Sequence, residues 1–259
     1  MALTNKTIAS TYGDILQADN SGSGRTANGT TIKDGLGQST ALTLGQNKLH
    51  VKPSSDQTDA VVIETSGGTD LLKVDTTNSA VKVGTTQTYA NTQIQRFAVH
   101  DLQPTANTHH LLQVDGHLLT SSVPANFGTG TDPATTFTLG SSETDAISLV
   151  ASMWYIPVAI TIDEVRVIAS GEASDSVNFH LYSYTMAGGT GADAGDLSSG
   201  ALLAHNGSTL TVGNDRITTT TLTVDSANVA ADKVAIATIE NVGATTDLTA
   251  QLIVKYHYQ

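Results

Sequence analysis

Histidines and carboxylates crowd one stretch of the chain, between residues 100 and 117. Imidazole nitrogens and carboxylate oxygens are ligands that zinc accepts, and a histidine beside a carboxylate also suits acid–base chemistry. The spacing places no pair of them in a fixed ligand geometry on one helix or strand. A polar hairpin with a solvated edge explains the same residues, so we expect no metal here, and a zinc site is the alternative: His100, Asp101, His109, His110, Asp115 and His117.

A second stretch with ligand-like residues is "GGTGADAGDLSSG", from Gly188 to Gly200. It partly matches the calcium-binding nonapeptide repeat, with Asp193 in the acidic position. That repeat binds calcium by stacking several copies, whereas this chain has one copy and places Gly195 where an apolar residue is needed. We therefore predict a loop between strands.

The pattern of acids and nucleophiles does not indicate an enzyme. The sequence lacks a GxSxG elbow, a P-loop, an HExxH motif and a dinucleotide fingerprint. The pairs Asp163–Glu164 and Glu143/Asp145 could serve a glycosidase, but adjacent residues of a strand point to opposite faces. Trp154 and Tyr155 could stack on a sugar, although the apolar residues around Trp154 favour a core position. We predict a non-enzymatic protein without a cofactor.

Composition excludes further classes of function. The net charge is -12 and only twelve residues are Lys or Arg, which is too few for a phosphate-binding patch, so we expect no nucleic acid partner. Without cysteine, neither disulfides nor thiolate metal sites can stabilise the fold. The opening "MALTNKTIAS" lacks a signal-peptide profile, and no apolar run reaches the roughly 18 residues of a membrane helix. We expect a soluble protein made in a cytoplasm.

Residues 1–40 are rich in Gly, Asn, Ser and Thr and poor in apolar side chains, so they cannot bury enough surface alone to offset the entropy of ordering. Within them, one short segment has helix-like apolar spacing and could dock on a partner. We predict an extended attachment arm over 1–40 whose docking residues are Ile8, Tyr12, Ile15 and Leu16.

Residues 41–124 repeat one short motif, in which two runs of alternating apolar and polar residues flank a polar turn. "ALTLGQNKLHV" and "LLKVDTTNSAVKVG" are clear copies, and "LLQVDGHLLTS", with Leu112, Val114 and Leu119, is a degenerate third. Isolated hairpins are marginal in water, so we expect an intertwined stem completed by sister copies around a threefold axis. Its predicted contact residues are Leu42, Leu44, Leu49, Val51, Leu72, Val74, Val81 and Val83.

The stretch "SSVPANFGTGTDPATT", residues 121–136, concentrates Pro and Gly and predicts a linker with a domain boundary near residue 125. Beyond it, apolar alternation recurs about every ten residues, which is typical of an antiparallel, jelly-roll-like β-sandwich over 125–259. The alternation slips by one between Ile162 and Val165, which predicts a β-bulge near Asp163. The alternating Tyr182, Tyr184, Tyr256 and Tyr258 predict either a strand face or a subunit contact.

The segments "STYGDILQADNSGSG", "IKDGLGQSTALTLGQNKLHV", "DLLKVDTTNSAVKVG" and "MWYIPVAITIDEVRVIAS" through "LTAQLIVKYHY" resemble virion proteins of tailed bacteriophages, of the head decoration, head fibre and tail fibre kinds. The resemblance implies a trimer with a bound N-terminal segment, an intertwined β stem and an outward β-sandwich. It transfers no catalytic residues.

Together these observations predict an all-β homotrimer on the capsid surface of a virion, synthesised in the bacterial host. We expect a decoration or cement protein that binds the major capsid protein through its arm, with tail or portal proteins as alternative partners. A tail or head fibre adhesin that binds host glycans through the loops around residues 188–206 is the alternative function. A polymer-degrading enzyme is a third hypothesis. The acid pairs argue against it, because we expect no two of these carboxylates on one face of a strand.

Overall fold

The computed structural model describes residues 17–18, 29–86, 88–104, 106–115, 126–129, 149–190, 194–213, 216–242 and 247–259. The chain divides into two compact units, Met1–Ala90 and Asn91–Gln259. We call them the N-terminal unit and the sandwich unit. Both consist mainly of β-strands in antiparallel sheets, so the predicted all-β fold is confirmed.

The N-terminal unit contains two four-stranded meanders. Sheet 1 has the order β1-β2-β3-β4 and sheet 2 has the order β5-β6-β7-β8. The strands described in this unit are β1 (Gln17–Ala18), β2 (Thr30–Lys33), β3 (Ser39–Leu44), β4 (Leu49–Val51), β5 (Val61–Glu64), β6 (Asp70–Asp75), β7 (Ala80–Val83) and β8 (Thr88–Tyr89).

The two clear hairpin predictions are confirmed. Leu42 pairs with Val51 and Leu44 with Leu49 across β3 and β4. Likewise, Leu72 pairs with Val83 and Val74 with Val81 across β6 and β7. In both hairpins, short alternating runs of β-branched and aliphatic residues flank polar turn residues, which is the pattern from which they were predicted.

The sandwich unit consists of two packed sheets. Sheet 3 has the order β12-β10-β21-β15-β16-β19, with β13 on β21 and β17 on β15, and sheet 4 has the order β11-β9-β22-β14-β18, with β20 on β14. The strands are β9 (Thr92–Leu102), β10 (Thr108–Leu111), β11 (Gln113–Val114), β12 (Asn126–Thr129), β13 (Trp154–Ile156), β14 (Ile160–Gly171), β15 (Asp175–Met186), β16 (Leu197–His205), β17 (Leu210–Val212), β18 (Thr218–Thr221), β19 (Thr223–Val224), β20 (Asn228–Val229), β21 (Lys233–Asn241) and β22 (Leu248–Tyr258).

The main core fills the space between sheets 3 and 4. Phe97, Val167 and Leu252 enter it from sheet 4, and Phe179 and Ile239 enter it from sheet 3, all fully buried. A smaller apolar cluster, which includes Tyr182, Tyr184 and Ile236, lies on the other side of sheet 3. Strand β21 is therefore buried on both faces, which explains its nearly continuous apolar sequence, "VAIATI".

Several boundaries differ from the prediction. Residues 30–33 and 39–40, expected in the arm, are strand residues of sheet 1, and the unit boundary lies at 90/91 instead of 125. The first run of the predicted third hairpin, with Leu112 and Val114, crosses between the two sheets of the sandwich, because β10 joins sheet 3 and β11 joins sheet 4. Its second run, with Leu119, lies outside the described residues. The predicted linker also contains strand β12, which pairs with β10.

The predicted bulge near Asp163 is confirmed. The register between β14 and β22 shifts between Ile162 and Glu164, so one extra residue stands in β14. Of the segment 188–200 predicted as a loop, the described residues before Leu197 lie between β15 and β16, whereas residues 197–200 belong to β16. Asp193 falls outside the described residues. Among the residues that the structure describes, no helix has both the length and the apolar character needed to cross a membrane.

Candidate functional site

Sheet 2 of the N-terminal unit carries six aliphatic side chains on one face, whereas Val62 and Leu71 lie on the other. The register places Ile63, Leu72 and Val83 in one row across the sheet and Val61, Val74 and Val81 in the next. Side chains two residues apart on a strand share a face, so all six point the same way. We call this set the aliphatic face: Val61, Ile63, Leu72, Val74, Val81 and Val83.

The aliphatic face is incompletely buried within one chain. Ile63 is 54% exposed, Val81 is 43% exposed and Val83 is 38% exposed, and the other three side chains are half-buried. Single exposed aliphatic residues are common on protein surfaces, but a contiguous exposed patch marks an interaction site. The aliphatic face is such a patch.

The opposite face of sheet 2 is mixed. Its central row contains Val62, Lys73, Lys82 and Tyr89, and the Lys82 ammonium lies 5.4 Å from the centre of the Tyr89 ring. Leu71, which is 45% exposed, lies on the same face as Lys73. Lys73 forms a salt bridge of 2.5 Å with Asp70. The hydrogen bond from Lys73 lowers the pKa of Asp70, and Asp70 in turn raises the pKa of Lys73. The charged side chains of this face favour contact with water, which distinguishes it from the aliphatic face.

Asp75 fixes the hairpin that presents the aliphatic face. Its carboxylate is 1% exposed and accepts hydrogen bonds from the Asn78 backbone N at 2.9 Å, from Asn78 Nδ2 at 2.8 Å and from Lys82 Nζ at 3.2 Å. The bonds from Asn78 are the main reason that the pKa of Asp75 is lowered. Ser79 completes the turn with a φ of 53°, in the left-handed region. This network holds β6 and β7 in the register that aligns the valines.

Sheet 1 has the same one-sided construction on a smaller scale. Leu42, Leu44, Leu49 and Val51 share one face, which we call the leucine face, and Leu49 is 65% exposed. Thr43 and His50 form the next cross-strand pair, on the opposite face. Each sheet of the N-terminal unit therefore offers an apolar face that one chain leaves partly open.

The structure brings the eight predicted stem residues together in two groups of four, one on each sheet. It adds two residues that sequence reasoning missed, Val61 and Ile63. Their signal is the short run "VVIE" before a turn in which Gly68 has a φ of 79°. The predicted docking residues Ile8, Tyr12, Ile15 and Leu16 lie outside the described residues.

The histidine-rich stretch is distributed over both sheets of the sandwich. His100 lies on β9 of sheet 4, whereas His109 and His110 lie on β10 of sheet 3 and are buried. Asp115 accepts a hydrogen bond from Gln95, and His117 lies outside the described residues. Within the described part of the chain, no three histidines or carboxylates are grouped so that they could hold a metal ion.

The structure corrects the prediction that the side chains of Asp163 and Glu164 lie on opposite faces of a strand. Because of the bulge, both carboxylates lie on the solvent side of sheet 4 instead of on opposite faces. Asp163 Oδ1 lies 2.9 Å from His257 Nδ1, and Glu164 Oε1 lies 3.2 Å from Arg166 Nε. Each carboxylate thus has a partner of its own, a hydrogen-bonded imidazole for Asp163 and an ion-paired guanidinium for Glu164.

The aromatic residues serve the core more than a ligand platform. Trp154 packs against the main core, with its ring centre 6.4 Å from Phe97 and 4.9 Å from Tyr256. Tyr155 points the other way and donates a hydrogen bond of 2.6 Å to Asp232. Trp154 and Tyr155 therefore cannot form one flat sugar platform, because neighbouring strand residues face opposite sides.

These features define an all-β protein with a one-sided N-terminal unit and a two-sheet sandwich. The chain matches no protein-family model and no curated protein sequence. One solved structure, "Structure of infectious bursal disease virus Gx strain", aligns with 8% identity and a TM-score of 0.17 over 65% of this chain. The chain spans 60% of that structure's chain, and a likeness at this TM-score carries no functional argument.

Proposed function

We propose that this chain is a non-enzymatic structural protein that assembles into a homotrimer through its N-terminal unit and decorates the head of a tailed bacteriophage. The observation that carries the assembly part of the proposal is the aliphatic face of sheet 2. The location on the capsid surface of a phage rests on the sequence resemblance to phage virion proteins.

The physical reason for assembly is that a small sheet with one apolar face needs a partner for that face. A four-stranded meander becomes stable when its apolar face packs against another layer. Burial of apolar surface contributes roughly 25 cal/mol per Å² removed from water. Ile63, Val81 and Val83 can contribute more of this stabilisation once a second apolar surface covers them.

A symmetric homo-oligomer is the simplest source of that surface. Each copy brings the same aliphatic and leucine faces, so rotation about one axis supplies an apolar layer to every copy. The polar row of Lys73, Lys82 and Tyr89 then remains on the solvent side. A threefold axis is the choice that agrees with the phage resemblance.

Attachment to the capsid is the second part of the proposal. The part of the predicted arm that precedes β1, residues 1–16 with the four predicted docking residues, remains the proposed attachment segment, and the major capsid protein remains the proposed partner. Three such segments on one trimer would raise the avidity for a shell through effective concentration, even when each contact is weak.

Sedimentation velocity of the full chain tests the assembly. We expect a trimer at micromolar concentration, and an association at least about tenfold weaker when Ile63→Asp or Val83→Asp places a charge on the aliphatic face. Leu36→Asp is the matched control, because Leu36 is an exposed aliphatic residue in the turn between β2 and β3. A monomeric wild-type chain at this concentration would overturn the assembly.

Binding to particles tests the location. Heads of the phage that encodes the chain, mixed with the purified protein, should acquire density at symmetry-related positions in electron cryomicroscopy. Heads that stay bare while the protein is trimeric would overturn the capsid part of the proposal and leave the assembly part standing.

A further inference from the structure

On the solvent face of sheet 4, isoleucine and basic side chains lie next to one another. The register places Arg96, Ile253 and Arg166 in one row across β9, β22 and β14. Ile94 and Lys255 lie in the row on one side, and Ile168 lies in the row on the other. We call this set the basic patch: Ile94, Arg96, Arg166, Ile168, Ile253 and Lys255.

The basic patch is accessible in the single chain. Ile94 is 69% exposed and Ile168 is 36% exposed, whereas Ile253 and Lys255 are half-buried. The Arg166 side chain is 52% exposed, although it pairs with Glu164. Isoleucine beside arginine on a flat sheet is a composition found in protein–protein interfaces, where Arg is enriched and Lys is depleted.

The charge of the patch is opposite to that of the unit that carries it. The sandwich unit contains sixteen Asp and Glu but only five Lys and Arg, and three of those five lie in the basic patch. The remaining two, Arg216 and Lys233, lie on other elements. Glu164 lies opposite Lys255 on the same face and pairs with Arg166, so the three basic side chains and this one carboxylate leave a net charge of +2 on a strongly acidic unit.

An acidic counterpart lies at the end of the same sheet. Asp101, Glu172 and Asp247 surround a shallow depression next to Thr249, and we call these three residues the acidic rim. Backbone bonds fix their positions, since the Asp101 N donates to Thr249 Oγ1 at 3.2 Å and the Glu172 N donates to the Asp247 carbonyl at 3.0 Å. Thr249 is four residues from Ile253 on β22, so the rim starts about 13 Å from the centre of the patch.

We propose that the sandwich units of neighbouring copies pack through sheet 4, with the basic patch of one copy against the acidic rim of the next. Each copy supplies both halves of the contact, so the partner is a second copy of this chain. Such a contact joins two different surfaces, and it closes into a ring when every copy gives its patch to its neighbour. The inference rests on the homotrimer proposed above and adds the contact that orients its sandwich units.

The size of the patch explains why this contact depends on the N-terminal unit. Three strands and four residues along each define a surface of about 10 by 13 Å, far below the roughly 800 Å² per partner that a stable interface buries. Alone, the patch cannot hold two copies together. Once the N-terminal units associate, the effective concentration of the sandwich units reaches the millimolar range, where a weak, charge-guided contact forms.

Zero-length crosslinking of the full chain tests this contact. Carbodiimide joins Lys to Asp or Glu only when the two groups touch, and Lys255 is the lysine of the basic patch. In oligomers reconstituted from equal amounts of ¹⁴N and ¹⁵N chain, we expect mixed-isotope crosslinks from Lys255 to Asp101, Glu172 or Asp247. Their yield should fall by about tenfold when salt is raised to about 0.5 M, because salt screens the attraction.

Charge reversal provides the matched variants. The double variant Arg96→Glu, Arg166→Glu should abolish the Lys255 crosslinks between copies. Adding Glu172→Arg and Asp247→Arg reverses the charge of the rim as well and should restore a contact between the sandwich units. Arg216→Glu is the control, because it reverses a charge outside the patch. Solvent accessibility of the Ile94 methyl groups, read by NMR with a soluble paramagnetic probe, should rise in the first variant and recover in the second.

The outcomes separate this contact from the assembly itself. A trimer in sedimentation without mixed-isotope crosslinks from Lys255 to the rim overturns the sheet 4 contact and leaves the homotrimer intact. A wild-type chain that sediments as a monomer overturns both. Crosslinks that persist after the Arg96 and Arg166 reversals also overturn the contact, because another surface must then hold Lys255 near a carboxylate.

Discussion

Val74 lies directly opposite Val81 across the β6–β7 hairpin, and both point to the open aliphatic face. Asp75, the next residue after Val74, sends its carboxylate into the turn, where it binds Asn78 and Lys82. The apolar pair and the polar network are thus consecutive along the strand. The network sets the register, and the register aligns the surface that we propose for assembly.

Acid should weaken the N-terminal unit. The pKa values of Asp70 and Asp75 are lowered in the fold, so each contributes stability above the unfolded value of about 3.9 and loses it as the pH falls toward its folded value. Urea unfolding followed by NMR cross-peaks of Val74 and Val81 should show a midpoint that falls between about pH 5 and pH 2.

The variant Asp75→Asn should flatten that acid dependence and lower the midpoint at neutral pH, because it replaces the acceptor of the Lys82 and Asn78 bonds. Asp56→Asn, in the exposed loop before β5, is the control and should leave both unchanged. Equal acid sensitivity in wild type and Asp75→Asn would show that Asp75 does not hold the hairpin.

Glycine at position 213 should be essential to the sandwich unit. Gly213 has a φ of 136°, and a Cβ added there would lie 1.6 Å from the Ala173 carbonyl oxygen. Gly213→Ala should therefore destabilise the unit by about 2 kcal/mol or more, through both the clash and the backbone strain.

Gly207→Ala is the matched control. The nearest atom to a Cβ at position 207 is Thr223 Oγ1 at 3.7 Å, which is an ordinary contact. Thermal unfolding followed by circular dichroism should separate the two variants. Similar melting temperatures would contradict the close approach of Gly213 to Ala173.

The core between sheets 3 and 4 should depend on Phe179, which is fully buried. Phe179→Ala leaves a cavity and should cost about 3–5 kcal/mol, whereas Phe179→Leu should cost less than about half of that. Trp154 is the only tryptophan of the chain and packs against this core, so its fluorescence reports the unfolding of the sandwich unit. A loss below about 1 kcal/mol for Phe179→Ala would contradict the core position.

Alkali should weaken the sandwich unit through Tyr256. Burial, with a smaller effect from the Tyr258 hydroxyl, raises the pKa of Tyr256 to about 12. A tyrosine whose pKa is higher in the fold contributes stability below its unfolded value of about 10 and loses it as the pH rises toward the folded value.

Trp154 fluorescence in urea should therefore show a falling midpoint between about pH 10 and pH 12. Tyr256→Phe removes the ionisable group from a ring 4.9 Å from Trp154 and should reduce this fall. Tyr155→Phe, on the exposed side of β13, should not reduce it to the same extent.

The sequence allowed the prediction of features whose signal is local. Both hairpins of the N-terminal unit follow from short alternating runs around turn residues, and the bulge at Asp163 follows from a slip in one strand's alternation. These signals need only neighbours along the chain. The same holds for Trp154, which the surrounding apolar residues predict to be in the core.

The features that were missed depend on distant pairing. The run 108–114 crosses from sheet 3 to sheet 4, since β10 pairs with β21 and β11 pairs with β9, and no local pattern predicts that crossing. Val61 and Ile63 join the aliphatic face only because β5 pairs with β6. The basic patch unites residues from three strands, up to 161 positions apart, from Ile94 to Lys255.

Strand order also determines which sheet can form first during translation. Sheet 2 needs nothing beyond residue 89, whereas sheet 4 cannot close until residues 248–258 have been synthesised, because β22 stands between β9 and β14. A nascent chain therefore presents its amphipathic meanders while the sandwich is still incomplete. If the proposed homotrimer forms through those meanders, copies translated side by side would associate before their sandwich units are complete.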